Sequence, residues 1–401
     1  MRIVFYLLVM GISAVVTFLL AFFILKLSVR YRLYPKVRER DVHTRPTPRL
    51  GGVAMFLGVI AAFAVASGLG AFSLIFDEPL KVGGLLGAAT IIVLIGVADD
   101  IWDLDWMTKL AGQIIAAGLL PLSGFQIYTL PILGGVAVLP PVMSLAVTVF
   151  AIVLVMNAIN FIDGLDGLVA GVALIANGVF FIYSYLLAVN VGNTEYFNFA
   201  SLITAILMGA CIGFLPLNFH PAKLFMGDAG ALLVGLLMAA SAISITGQVD
   251  PGNWTYGGLL LPAFIPILLP VAVLVLPLLD FGLAVIRRLR AGKSPFSADR
   301  LHLHHRLLDI GHSHLQAVLI FYGWTAVIAI GSLAFMFVRW EWAATFIVTG
   351  LVVLGVLTVI PLLRRNPLDP DAPGIDLSAD AAREAALGND AAGTDRKEPA
   401  L

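Results

Sequence analysis

The chain has 401 residues, of which 60% are hydrophobic and 12% charged, with a net charge of -1. A soluble domain carries about 25% charged residues, so this composition, with a mean hydropathy of +0.98, excludes a soluble domain. It reads as an all-α, polytopic membrane protein, and no nucleic acid is expected as a partner.

A bilayer-spanning helix needs roughly 20 apolar residues. Apolar runs place eleven predicted spans at about 3–25, 51–76, 82–98, 110–125, 143–159, 168–189, 199–217, 229–247, 257–279, 317–338 and 343–363. The first is too long for a signal peptide and no small-residue cleavage site follows it. Of the 24 Lys and Arg residues, only Arg2, Lys81 and Arg339 fall on the side opposite the others. The positive-inside rule then puts the N-terminus outside and the C-terminus in the cytoplasm. Residues 1–363 are expected to form one membrane domain. Residues 364–401, rich in Asp, Ala, Pro and Gly, read as a disordered cytoplasmic tail. The single Cys211 lies in an apolar run and reads as packing.

The polar segments gather on the basic side. First comes Thr44-Arg45-Pro-Thr47-Pro-Arg49-Leu-Gly51-Gly52. Its prolines favour extended backbone, and the paired glycines allow another element to approach the next helix closely. A topogenic basic loop is the plainer alternative. Next, Asp99 and Asp100 end the third predicted span, with Lys109 beyond. Adjacent carboxylates repel and need a cation, a metal or water to stay ionised. Lys109 is suited to balancing one of them or to holding a phosphate.

The segment Asn157-Ala-Ile-Asn160-Phe-Ile-Asp163-Gly-Leu-Asp166-Gly sets four polar residues at steps of three. Its glycines predict a helix break near Asp163 that exposes backbone donors. Then Asn218-Phe-His220-Pro-Ala-Lys223-Leu-Phe225-Met-Gly-Asp228 leads into the eighth span. Asp228 is placed to cap that helix. Beside Asn160 it would also supply hard oxygen ligands for Mg²⁺. Phe225 could stack on a base or simply pack. The longest loop, about 280–316, holds Arg287, Arg288, Arg290 and Lys293, then His302, His304, His305, Arg306, His312 and His314. Without cysteine or a zinc spacing, this tract suits phosphate and sugar hydroxyls better than zinc.

These motifs, in this order over about residues 40–316, resemble the polyprenyl-phosphate N-acetylhexosamine-1-phosphate transferase superfamily. The likeness is greatest to its UDP-GlcNAc-using, actinobacterial members. The resemblance implies that the phosphate of a membrane polyprenyl phosphate, decaprenyl or undecaprenyl, attacks the β-phosphorus of UDP-GlcNAc. Polyprenyl-pyrophosphoryl-GlcNAc and UMP would result, with Mg²⁺ (or Mn²⁺) as cofactor, at the cytoplasmic face of the plasma membrane. It implies catalytic roles for Asp99, Asp100 and Lys109 and metal binding at Asn160 and Asp228. Nucleotide contacts are implied around Asp163, Asp166, Asn218 and Phe225, and sugar recognition at His302, His304, His305 and Arg306. Arg45, Thr47 and Arg49 would support the loops. Relatives of this kind tend to be homodimers, and their place would be the first lipid-linked step of an arabinogalactan-linker-type cell-wall polysaccharide.

Attack of one anion on another needs charge neutralisation and in-line positioning. A phosphate monoester with a second pKa near 6 needs no strong base, so direct displacement is expected over an aspartyl-phosphate intermediate. A phospho-MurNAc-pentapeptide transferase is the nearest alternative. That family carries three consecutive His where Leu303 interrupts the run here. A secondary transporter is the remote one, but transporters place polar residues near the midplane within internal repeats, and none is visible here.

Overall fold

Small residues at one helix start decide the packing around it. Gly227, Asp228, Ala229, Gly230 and Ala231 open the helix Gly227–Thr246, and nearby helices come to backbone contact with it. A Cβ added to Gly52 would collide with the backbone of Gly230, and one added to Gly96 with Ala229. This is the close approach that the paired glycines lead one to expect.

In a computed structural model the described residues are 2–31, 47–132, 135–190, 195–246 and 310–364, with scattered positions between 282 and 308. They form α1 (Arg2–Tyr31), α2 (Gly51–Ser67), the short α3 (Ser73–Phe76), α4 (Pro79–Trp102), α5 (Trp106–Leu122), α6 (Pro141–Ile162), α7 (Leu168–Asn190), α8 (Glu195–Asn218), α9 (Gly227–Thr246), α10 (His314–Ala334) and α11 (Trp340–Arg364). Eight of these are long and apolar enough to cross a membrane, or nine if the bent α2–α3 pair is one span. The all-α membrane architecture therefore holds among the described residues.

The differences from the expected spans have local causes. The run 51–76 is bent by 95° after Ser67, where Gly68 and Gly70 interrupt it. The span expected at 110–125 is a 17-residue helix that starts earlier, at Trp106, because the Asp105 side chain caps it by accepting the Thr108 N–H. The span expected at 257–279 lies outside the described residues. A two-stranded hairpin, β1 (Thr129–Ile132) with β2 (Gly135–Val138), pairs Thr129 with Val138 and Ile132 with Gly135. It is the described exception to all-helix structure.

Helix α9 is the hub: it packs against α6, α4, α8 and α2. Helix α9 is almost wholly buried among its neighbours, whereas the sides of α11 are almost wholly exposed. Helices α1, α2 and α8 pack together, and α10 lies on α7. One unit extends through Thr358, and residues 359–401 form another. Of the second, only the end of α11, through Arg364, is described. The tail expected to be disordered falls otherwise outside the described residues.

Candidate active site

Four polar segments meet at the ends of α4, α5, α6 and α9. Helix α4 stops at Trp102 because Asp103 turns left-handed, with φ 54°. The last turn carries Asp99 and Asp100. The chain re-enters at α5, which brings Lys109 into its first turn. A lysine at a helix N-terminus opposes the helix dipole, and here carboxylates offset it.

The Lys109 ammonium donates to Asp99 Oδ2 at 3.1 Å, to Asn160 Oδ1 at 3.5 Å, and closely to Asp228 Oδ2. Asn160 Nδ2 donates to Asp228 Oδ1 at 3.0 Å. The other Asp99 oxygen accepts the Leu104 N–H at 2.9 Å. Burial works against the charge on Lys109, but Asp228 and Asp99 outweigh it and hold the amine above the usual lysine range. Side-chain exposures of 19% for Lys109, 12% for Asp99 and 29% for Asp228 leave the cluster partly open.

Asp100 faces elsewhere. Its carboxylate accepts the N–H groups of Asp228 at 3.1 Å and Ala229 at 3.3 Å. It thus caps α9, where a negative charge is favoured. Gly227, with φ +67°, makes the turn into that helix against Asp100 and the Arg49 carbonyl. On the other flank, Gly51 and Gly52 donate to the carbonyls of Phe225 and Met226 at 2.9 and 2.8 Å, and Phe225 N donates to Pro48 at 2.8 Å. The Thr47–Gly52 segment is therefore stitched to the loop before α9, and Phe225 sits half-buried beside it.

Helix α6 ends at Ile162, with Asp163 as its C-cap, where the glycines predict the break. Asn157 and Asn160 stay helical, while Asp163 and Asp166 fall in the turn before α7. Burial pushes Asp163 up to about 7, with Asp228 and Asp166 adding to the rise and Arg49 opposing it. Asp166 is 4% exposed. Its Oδ2 meets His220 Nδ1 at 2.8 Å and accepts the Ala222 N–H at 3.0 Å. Asn218 is equally buried; its Oδ1 accepts from Gly167 N at 3.1 Å and its Nδ2 donates to the Leu224 carbonyl at 3.0 Å. Both side chains thus tie loops together. Arg45, His302, His304, His305 and Arg306 lie outside the described residues.

Three contributors carried no assigned role in the sequence. Gln113 exchanges amide bonds with Asn157, of which the shorter is 2.6 Å, one turn below Lys109 and Asn160. Tyr322 on α10 donates to the Gly167 carbonyl at 2.5 Å. His220 pairs with Asp166 as above. His220 alone had a signal, because it stands inside the Asn218–Asp228 motif.

Asp99 Oδ2, Asn160 Oδ1 and Asp228 Oδ2 already surround one cation, the Lys109 ammonium. That hard-oxygen set also fits Mg²⁺, which keeps several waters and takes other ligands from phosphates. It does not make an all-protein cage: among the described residues, no group of three or more His, Cys, Asp or Glu could hold a metal.

A family model described as glycosyl transferase family 4 matches residues 82–246, which include Asp99, Lys109, Asn160 and Asp228. The chain is 43% identical over 359 residues to a decaprenyl-phosphate N-acetylglucosaminephosphotransferase of Mycolicibacterium smegmatis, covering 88% of each protein. It is 44% identical over 344 residues to the Mycobacterium tuberculosis protein of the same name, covering 84% of each. The chain belongs to the polyprenyl-phosphate GlcNAc-1-phosphate transferase superfamily. Within the superfamily, similarity to a phospho-N-acetylmuramoyl-pentapeptide-transferase of M. smegmatis is lower, 28% over 370 residues, with 83% of this chain and 97% of that protein covered. Of the motifs singled out in the sequence, those around Asp99–Lys109, Asn157–Asp166 and Asn218–Asp228 converge here; the His302–Arg306 segment lies outside the described residues.

Proposed function

We propose that this protein transfers GlcNAc-1-phosphate from UDP-GlcNAc to a membrane polyprenyl phosphate, decaprenyl phosphate by preference. UMP and polyprenyl-pyrophosphoryl-GlcNAc are the products. The observation that carries this reading is the Lys109 cluster: one ammonium held by two acids and an amide at converging helix ends. The relatives' names supply the acceptor and the sugar phosphate.

Lys109 is placed to lie against the diphosphate of the donor, where its charge offsets the negative charge that gathers as two anions approach. Asp99, hydrogen-bonded to Lys109, sets the ammonium's position and can accept a residual proton from the incoming phosphate. Asp100 acts at one remove, by fixing the start of α9 and hence Asp228. Asn160 and Asp228 would hold Mg²⁺ or Mn²⁺, and a bound ion would supply further neutralisation of the diphosphate. Phe225 offers a half-buried ring for the base. Asn218 and Asp166 hold the nucleotide loops in shape through their bonds to Gly167, Leu224, His220 and Ala222, and Asp163 is assigned to the nucleotide beside them. The His302–Arg306 segment is assigned to the sugar, and Arg45, Thr47 and Arg49 to support of the loops.

The lipid phosphate oxygen attacks the β-phosphorus, the bond to the UMP oxygen breaks, and UMP leaves with the electron pair. The mostly dianionic nucleophile needs no strong base. The site lies at the cytoplasmic face of the plasma membrane, N-terminus outside, in a protein that works as a homodimer on a cell-wall polysaccharide. Exchange of labelled UMP into UDP-GlcNAc tests the single displacement. It should require polyprenyl phosphate; exchange without the lipid would show a covalent enzyme intermediate instead.

A further inference from the structure

Helix α5, which carries Lys109, is buried along one face. That face is Gly112, Gln113, Ala116, Ala117 and Leu120, in a helix that packs on α4 and α6. Ile114 and Ile115 point away from it, 47% and 62% exposed. Glycine and alanine raise only low ridges, so such a face fixes neither the slide nor the rotation of one helix on another.

One polar pair interrupts that smooth face. Gln113 is 1% exposed. Its Oε1 accepts from Asn157 Nδ2 at 2.6 Å, and its Nε2 donates to Asn157 Oδ1 at 3.4 Å. Asn157 Nδ2 also donates to the Val153 carbonyl of its own helix, at 2.8 Å. Both hydrogens of that amide are thus directed, one along α6 and one across to α5. Breaking the pair strands buried amide groups, which costs more than the bond itself contributes.

The pair stands in register with the site. Lys109 on α5 meets Asn160 on α6. Four residues further along α5, Gln113 meets Asn157, three residues back along α6. The two helices therefore run antiparallel here, and one helical turn separates two rungs of the same contact. Apolar contact is non-directional, whereas a buried amide pair marks one register between helices. A slide or rotation of α5 would carry Lys109 away from Asn160 and Asp228 together.

We propose that the Gln113–Asn157 amide pair locks the register of α5 on α6 and so positions Lys109 for the transfer. Both are positioning residues, acting through Lys109. The proposal rests on the functional reading above.

Transfer kinetics and melting temperature test it, on the full-length protein in detergent with UDP-GlcNAc and decaprenyl phosphate. Gln113→Met and Asn157→Leu keep the shape and remove the bonds. Each alone strands the other amide, so each should lower the melting temperature, and kcat by about tenfold. Combining them strands neither, so the double variant should melt close to wild type while its kcat stays about tenfold down. KM for UDP-GlcNAc should move less than about threefold, the pattern of a contact made in the transition state. In a Lys109→Ala background the double substitution should change kcat less than about threefold, because the group it places is gone.

If neither single variant folds, the double variant decides. Recovery of kcat together with melting temperature in the double variant overturns the proposal, because the pair would then be structural. An effect on KM alone, or a further tenfold fall of kcat in the Lys109→Ala background, also overturns it. Each of these results, beside a wild type that transfers from UDP-GlcNAc, leaves the function standing. A wild type that transfers nothing from UDP-GlcNAc overturns both readings.

Discussion

Asp100 holds Asp228 by its backbone and not by its side chain. The Asp100 carboxylate caps α9 at the Asp228 and Ala229 N–H groups, while the neighbouring Asp99 carboxylate bonds to Lys109. Adjacent acids in one helix turn thus have separable tasks. Asp100→Ala should cost about 1–2 kcal/mol of stability through the lost side-chain cap, and should lower activity by displacing Asp228. Asp99→Asn should lower turnover with a much smaller change in melting temperature. Thermal unfolding in detergent beside turnover separates them; equal destabilisation by both would refute the division.

Lys109 is the cation that three side chains share. Lys109→Ala should lower kcat by about 10²-fold or more, in line with loss of one preorganised electrostatic contact. Loss of the amine also leaves Asp99 and Asp228 facing one another, so some instability should accompany it. A change in kcat below threefold would make Lys109 structural.

The metal assignment has its own test. Asp228→Asn keeps the shape and the Asn160 neighbour but removes the charge. It should abolish Mg²⁺-dependent turnover while the protein remains folded. Retained Mg²⁺-dependent activity, measured by metal titration, would sink the assignment of Asp228.

Asp163 couples the site to pH. Its folded pKa is raised from 3.8 to about 7, chiefly by burial. Its neutral form therefore supports the fold fully below about pH 4. That support is lost progressively as pH rises towards and through 7, because the unfolded chain ionises first. In chelator-treated protein, Asp163→Asn should flatten the fall in melting temperature over that window. An unchanged slope would show that another group carries it.

Backbone contact at α9 predicts a sharp contrast between two glycines. Gly52→Ala would drive a methyl into the Gly230 backbone, while Gly83 has nothing within 4 Å of an added Cβ. Gly52→Ala should cost about 1–3 kcal/mol through overpacking. Gly83→Ala should be neutral or mildly stabilising. Melting temperatures of the two variants check this directly.

Much of the site was legible because acids and amides are costly in a hydrophobic chain. Asp99, Asn160 and Asp228 stood out for that reason, and the glycines at 164 and 167 marked the end of α6. What hydropathy could not show was direction. It did not separate Asp99 from Asp100, which differ only in where one helix turn points them. It did not show that Asp166 and Asn218 turn inward, since their partners lie 54 and 51 residues away and distant pairing leaves no local period. The bend after Ser67 was hidden because Gly68 and Gly70 are apolar enough to extend the run. The 129–138 hairpin was hidden because its strands are too short to stand out between spans.

The central claim is the identity of the donor. Purified protein should be given decaprenyl phosphate, Mg²⁺ and radiolabelled UDP-GlcNAc or UDP-MurNAc-pentapeptide in parallel. Labelled lipid with stoichiometric UMP from UDP-GlcNAc alone is the predicted result. Labelled lipid from the pentapeptide donor alone, or from neither, would contradict it.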